Sequence, residues 1–119
     1  MHIKLFDSEL KIMEVLWNRG DLTAGIIAKI LKDEIGWNRN TTYTIIKKCI
    51  EKGAIERLEP NFTCHALITK EEIQELETMG LISKLFNGST EMFFSSFFNS
   101  KNLTKEEIDK LKQIVDDLS

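Results

Sequence analysis

The stretch from Trp37 to Arg57, WNRNTTYTIIKKCIEKGAIER, limits the fold more than any other part of the chain. Placed on a helix from Asn38 to Lys52, it sorts into two faces. Thr42, Ile45, Ile46, Cys49 and Ile50 share one arc at spacings of three, four and seven, which makes a buried stripe. Asn40, Thr44 and Lys47 fall on the opposite side, flanked by Thr41, Tyr43 and Lys48. That outer face is small, polar and cationic, and the Tyr43 ring is its one apolar feature. Gly53 supplies a left-handed stop, and Asn38 is placed to cap the start by accepting from free backbone amides. A helix built this way packs by one side and offers the other to the major groove of DNA.

A chain of 119 residues makes one ordinary domain or two small ones. It has no run of about 18 apolar residues, the minimum for a membrane span, and its first residues lack the apolar core of a signal peptide. Cys49 and Cys64 have no metal-ligand spacing to each other or to His65. Free thiols in a cytoplasmic protein are the expectation. The net charge of −3 looks unsuited to DNA until it is divided. Through Thr69 there are 10 Lys and Arg against 9 Asp and Glu, and from Lys70 onward 6 against 10. From Asn38 to Lys52 the sum is +3, and the local field matters more than the total. The footprint is weak, which favours a grip shared by two copies.

The neighbouring segments suit the same architecture. A first helix is predicted from Asp7 or Ser8 to Asn18, with Leu10, Met13, Leu16 and Trp17 inward, closed by Gly20. Thr23 caps a second helix over Ala24–Lys32, and Trp37 plugs the junction with the third. After Gly53, residues 54–58 alternate, Glu59-Pro60-Asn61 turns, and 62–68 resume extended structure, which reads as a hairpin. Three helices followed by a β-hairpin is a winged helix-turn-helix. The predicted fold is mainly α with a small β-hairpin, with a winged head over residues 1–69.

Residues 70–119 read as three helices: Lys70 to about Phe86, Thr90 to Phe98, and a last one opened by a Thr104/Glu107 capping box. About 50 residues cannot build a sizeable core alone. Yet they carry Phe93, Phe94, Phe97 and Phe98, then Ile108, Leu111, Val115 and Leu118 at three-four-three spacing. Such an apolar excess needs a partner surface, and a second copy by two-fold symmetry is the simplest one. This half is therefore predicted to be a dimerisation domain.

At this point the chain resembles the penicillinase repressor family, the β-lactamase and methicillin-resistance repressors. The likeness runs over nearly the whole length. Ser8-Glu9-Leu10-Lys11-Ile12-Met13-Glu14-Val15-Leu16-Trp17 is similar to the family's Glu-Trp-x-Val-Met-x-x-x-Trp run, with Leu10 where a Trp is usual. Trp37-Asn38-Arg39-Asn40-Thr41-Thr42-Tyr43-Thr44-Ile45-Ile46 is similar to Trp-Ser-x-x-Thr-[Val/Ile]-x-Thr-Leu. Lys52-Gly53-Ala54-Ile55, Phe86-Asn87-Gly88-Ser89 and Leu103-Thr104-Lys105-Glu106-Glu107-Ile108 continue it. The resemblance implies a homodimeric repressor of dyad operators upstream of antibiotic-resistance genes. It implies base reading by Asn40, Thr41 and Thr44, with Tyr43 beside them. It also implies a membrane β-lactam sensor-protease as partner. The scissile Asn-Phe pair of studied members aligns near Ser96-Phe97, where the Asn is absent. The copper-sensing branch carries cysteine pairs near its C-terminus. This chain has none after Cys64, which speaks against copper or zinc sensing.

The side-chain chemistry agrees with that assignment. Asn pairs bidentately with adenine, and Thr hydrogen-bonds or presses its methyl on thymine. Arg39, Lys47, Lys48, and on the wing Arg57 and Asn61, suit phosphates, which position without specifying. Tyr43 either donates to a phosphate or covers the helix edge. Trp17 and Trp37 read as core, Met13, Met79 and Met92 as core fillers, and Cys49 as a small hydrophobe. No catalytic constellation, phosphate-cradling glycine loop, cofactor motif or metal cluster stands out, so an enzyme is not expected. A second class remains open: a winged-helix interaction module whose acidic, Phe-rich tail docks another protein.

Overall fold

The computed structural model describes residues 3–99 and 103–118. The elements in chain order are α1 (Asp7–Arg19), β1 (Leu22–Thr23), α2 (Ala24–Ile35), α3 (Arg39–Glu51), β2 (Ile55–Leu58), β3 (Thr63–Ala66), α4 (Lys70–Leu85), α5 (Thr90–Phe98) and α6 (Lys105–Leu118). They divide into two compact units, Met1–Glu77 and Thr78–Ser119.

In the first unit each helix end follows from local chemistry. The Phe6 amide donates to Glu9 Oε1 at 2.7 Å, which satisfies one of the free donors at the start of α1. Thr23 Oγ1 accepts from the Ile26 amide at 3.3 Å to open α2. Gly36, at φ 74°, ends α2 by donating to Lys32 at 3.0 Å. That conformation costs glycine little and other residues more. α2 runs three residues past the expected Lys32, because Asp33, Glu34 and Ile35 have no breaker among them before Gly36.

The core is assembled from Ile12, Met13, Ile27, Ile46 and Ile55, all at most 1% exposed. Burying each such side chain stabilises by roughly 1.5–3 kcal/mol. On α1 the buried arc is Ile12, Met13, Val15 and Leu16. Leu10 and Trp17, expected at its centre, are only half-buried. α1 packs against both α3 and β3, so its covered face is wider than a single-neighbour stripe. Trp17 reaches the far end of the unit, where Nε1 donates to the Ile68 carbonyl at 2.9 Å. The first turns of α4 contribute Ile73 and Leu76 to the same cluster.

The expected hairpin is present and has a third member. Strand order is β1-β3-β2, all antiparallel, with Ile55 opposite Ala66, Leu58 opposite Thr63 and Leu22 opposite Cys64. A two-residue strand carries no alternation to read, so β1 exists only through its pairing.

In the second unit, Asn87 and Gly88 reverse the chain at φ 50° and 81°. Ser89 Oγ then accepts from the Met92 amide at 3.1 Å. Thr104 and Glu107 form the predicted capping box, with reciprocal bonds of 3.0 and 3.1 Å. Phe86 meets Phe93 edge-on at 5.5 Å, and Phe93 stacks on Phe97 at 6.1 Å. No residue of α5 is buried. Phe93 and Phe98 are half-buried, and Phe94 and Phe97 are 42% and 43% exposed. Ile108 and Leu111 are half-buried and Val115 is exposed, while the side chain of Leu118 lies outside the described residues. Met79 and Met92 correct the expectation of core fillers, since both are exposed. Three helices of this length supply too few surfaces to cover them. Among the described residues no helix is long and apolar enough to cross a membrane.

Candidate nucleic-acid interface

α3 is held by three fastenings. At its start Asn38 Oδ1 accepts from the Thr41 amide at 2.8 Å, and the Trp37 amide donates to Leu31 at 3.3 Å, tying the turn to α2. Along its length Thr42, Ile46 and Cys49 are fully buried, with Ile45 and Ile50 half-buried beside them. At its end Gly53, at φ 80°, turns the chain into β2. The inward stripe is the predicted one.

The end of α3 is also held by an ion pair between elements distant in sequence. Glu9, in the first turn of α1, is 1% exposed. Lys52, at the C-cap of α3, brings Nζ to 2.5 Å from Glu9 Oε1 and donates to the Lys4 carbonyl at 2.7 Å. The ammonium also lies 4.1 Å from the Phe6 ring centroid. Lys52 therefore belongs to the core edge, and the cations left on the outer surface of α3 are Arg39, Lys47 and Lys48. Burial pushes the Cys49 thiol up to about 12, helped by Glu9 and opposed by Lys52. Burial likewise pushes Cys64 up to about 11. Both are free thiols held protonated, which is the opposite of a reactive cysteine.

With the inward side so occupied, Asn40, Thr41, Thr44, Lys47 and Lys48 all stand exposed on the other. Arg39 is exposed as well and donates from Nη2 to the Tyr43 hydroxyl at 2.9 Å. Tyr43 is half-buried and meets Phe62 edge-on, centroids 5.8 Å apart at 89°. The ring thus covers the helix edge against Phe62 while its hydroxyl accepts from Arg39. On the wing Asn61 is exposed. Arg57 lays its guanidinium over the other aromatic neighbour, 3.8 Å from the Phe62 centroid, and is ion-paired with Glu59. Within the first unit α3 and the wing thus both carry exposed polar and cationic side chains. Donors and acceptors suited to bases lie on the helix, and cations flank them.

Two features escaped the sequence reading. Lys29 and Lys32 on α2 line a cleft with Asn38 and Arg39, extending the cationic edge across the turn. Their spacing of three was a readable signal. Phe62 is the other: a bulky residue at φ 51°, a conformation costing about 1–2 kcal/mol for a side chain of this type. Nothing in the sequence marks it. Among the described residues no group of His, Cys, Asp and Glu is arranged to hold a metal. His65 instead pairs with Asp21 at 2.8 Å on the surface.

The penicillinase repressor of Bacillus licheniformis is 24% identical over 116 residues, covering 96% of this chain and 91% of that one. The methicillin resistance regulatory protein MecI of Mammaliicoccus sciuri is 23% identical over 114 residues, covering 94% and 93%. Among solved structures, the DNA-binding domain of the repressor BlaI superposes with a TM-score of 0.54 at 24% identity, over 59% of this chain and 88% of that one. Monomeric Bacillus licheniformis BlaI, solved with the blaP half-operator, gives 0.51 at 24% identity, over 60% and 90%. At this level of identity the two superpositions speak for the winged-helix fold of the head. The family model for the penicillinase repressor matches residues 5–117, and the chain belongs to that family, one of repressors rather than of enzymes.

Proposed function

We propose that this protein is a cytoplasmic, dimeric transcriptional repressor that binds a dyad operator through α3 of each head. It controls β-lactam resistance or related genes. The observation that carries this reading is the division of α3. Thr42, Ile46 and Cys49 are sealed inward, and Asn40, Thr41 and Thr44 are exposed between Arg39 and the Lys47-Lys48 pair. Asn40, Thr41 and Thr44 read base edges. Arg39, Lys47, Lys48, Arg57 and Asn61 meet phosphates. Residues 1–69 act as the DNA-binding part and residues 70–119 as the dimerisation part. Met79, Leu85, Phe94, Phe97 and Val115 are all exposed on one small unit, and a second copy covers such a surface. Each head grips weakly, and linking two converts the second contact into an intramolecular one.

Relief of repression follows the family pattern, through a membrane β-lactam sensor-protease that cuts the tail. The Ser96-Phe97 bond lies inside α5, so cleavage there requires that helix to unwind.

The deciding experiment is binding of the purified protein to its own upstream DNA and to a scrambled duplex, at two salt concentrations, with the mass of the complex measured. Selective, salt-sensitive binding of two chains per site is the expected result. Equal affinity for both duplexes removes the base-reading role of Asn40, Thr41 and Thr44. No binding by a folded dimer transfers the function to the protein-docking reading of the acidic, Phe-rich tail.

A further inference from the structure

We infer that Phe62 is a positioning residue: its ring sets where the wing stands against the recognition helix and so delivers Arg57 to the DNA backbone. This rests on reading α3 and the wing as the DNA-contacting surface.

Three contacts converge on this one residue. Its carbonyl accepts from the amide of Ala24, the first residue of α2, at 3.0 Å. One edge of its surroundings is the Tyr43 ring of α3, 5.8 Å away and nearly perpendicular. The Arg57 guanidinium of β2 covers the ring at 3.8 Å. Its own backbone bends into the left-handed region at φ 51° to make these contacts at once. Tyr43 continues the line, because Arg39 donates to its hydroxyl and lies 4.8 Å from its ring centroid. The result is an alternation of cation, ring, ring, cation: Arg39, Tyr43, Phe62, Arg57. It starts in the first turn of α3 and ends on the wing.

The chemistry explains why a ring is used. Flexible arginines facing phosphate lose rotamer freedom when they bind. A guanidinium resting on an aromatic face is already oriented, with its N–H edge left free to meet an anion. Glu59 holds that edge of Arg57 in the free protein, and a phosphate takes the place of the carboxylate in the complex. A glycine at position 62 would accept the same φ without strain, and the ring is what it would lack.

The test uses the full chain and four variants: Phe62→Gly, Phe62→Tyr, Arg57→Ala, and Phe62→Gly combined with Arg57→Ala. Affinity for the upstream duplex and for the scrambled duplex is measured across a salt series, with thermal unfolding alongside. Phe62→Gly is expected to weaken binding to both duplexes by about tenfold and to lower the salt slope by about one per head. Phe62→Tyr, which keeps the ring, is expected to bind as wild type does. The double variant is expected to match Arg57→Ala alone, because the ring acts through that arginine. If Phe62→Gly unfolds, Phe62→Leu replaces it, keeping bulk and losing the aromatic face, with the same loss of slope expected. A folded Phe62→Gly or Phe62→Leu variant with the wild-type slope overturns the inference, as does a double variant whose losses add. Wild-type protein without salt-dependent binding overturns the DNA reading itself, and this inference with it.

Discussion

Replacing Lys52 with Met leaves the Glu9 carboxylate, 1% exposed, without its counter-charge. Among the described residues Glu9 Oε1 would keep only the Phe6 amide at 2.7 Å, and Oε2 has no hydrogen-bond partner. Removing one partner of a buried pair costs about 3–5 kcal/mol. The Lys52 side chain is 29% exposed, so water reaches the site from one side and the expected loss falls to about 2–3 kcal/mol. A unit of this size has roughly 4–10 kcal/mol in all, and each kilocalorie moves its melting temperature by about 4–8 °C. The assay is urea unfolding followed by tryptophan fluorescence. Trp17 and Trp37 are the two tryptophans of the chain, and both lie in the first unit, so the signal reports the head. Combining Glu9→Gln with Lys52→Met removes the bare charge, and most of the lost stability should return. A Lys52→Met protein within about 0.5 kcal/mol of wild type, or a double variant with additive losses, would refute the reasoning. Because the pair joins the first turn of α1 to the end of α3, the same variant should also weaken operator binding.

Other perturbations test neighbouring parts of the argument. Asn38→Ala removes the cap of α3 and should cost about 1 kcal/mol, read by thermal unfolding, with a matching fall in operator affinity; unchanged stability would deny the cap its role. Glu59→Gln releases Arg57 from its partner and should raise affinity for operator and scrambled DNA alike, with a steeper salt slope; unchanged binding would place Arg57 away from phosphate. The pH dependence has a defined sign. Cys49 and Cys64 are held at about 12 and about 11, above the ordinary 9.0 of a free thiol. Their contribution is therefore intact below pH 9 and is lost as pH rises from 9 toward 12. Urea midpoints of wild type should fall more steeply across that alkaline range than those of the Cys49→Ala/Cys64→Ala double variant. Parallel curves would count against burial as the cause.

The separation of α3 into faces was legible because a helix of 13 residues repeats its own pattern several times. The inward set Thr42, Ile46 and Cys49 and the outward set Asn40, Thr41 and Thr44 follow from spacing alone. Caps were legible for the same local reason: Asn38 and Thr104 act on amides three residues ahead. Lys52 shows where that logic stops. Its position in the chain counted it in the local charge of +3, and only the arrival of Glu9 from α1 tied it to the edge of the core. β1 is similar, since two residues have no period and became a strand by lying beside β3. Met79 and Met92 look like core residues by type, but burial needs a second layer, and their own unit does not supply it.

What the sequence by itself determined is everything carried by short-range repetition: which segments are helical, where most of them start and stop, and which side of α3 faces water. What only the tertiary structure decided is pairing across distance: Glu9 with Lys52, Leu22 with Cys64, Phe62 with Tyr43 and with Arg57. The physical reason is that periodicity fixes a direction around one helix axis, whereas a contact between two elements depends on how both pack against a third. That packing minimises the exposed area of the whole unit, a quantity no single window of sequence contains.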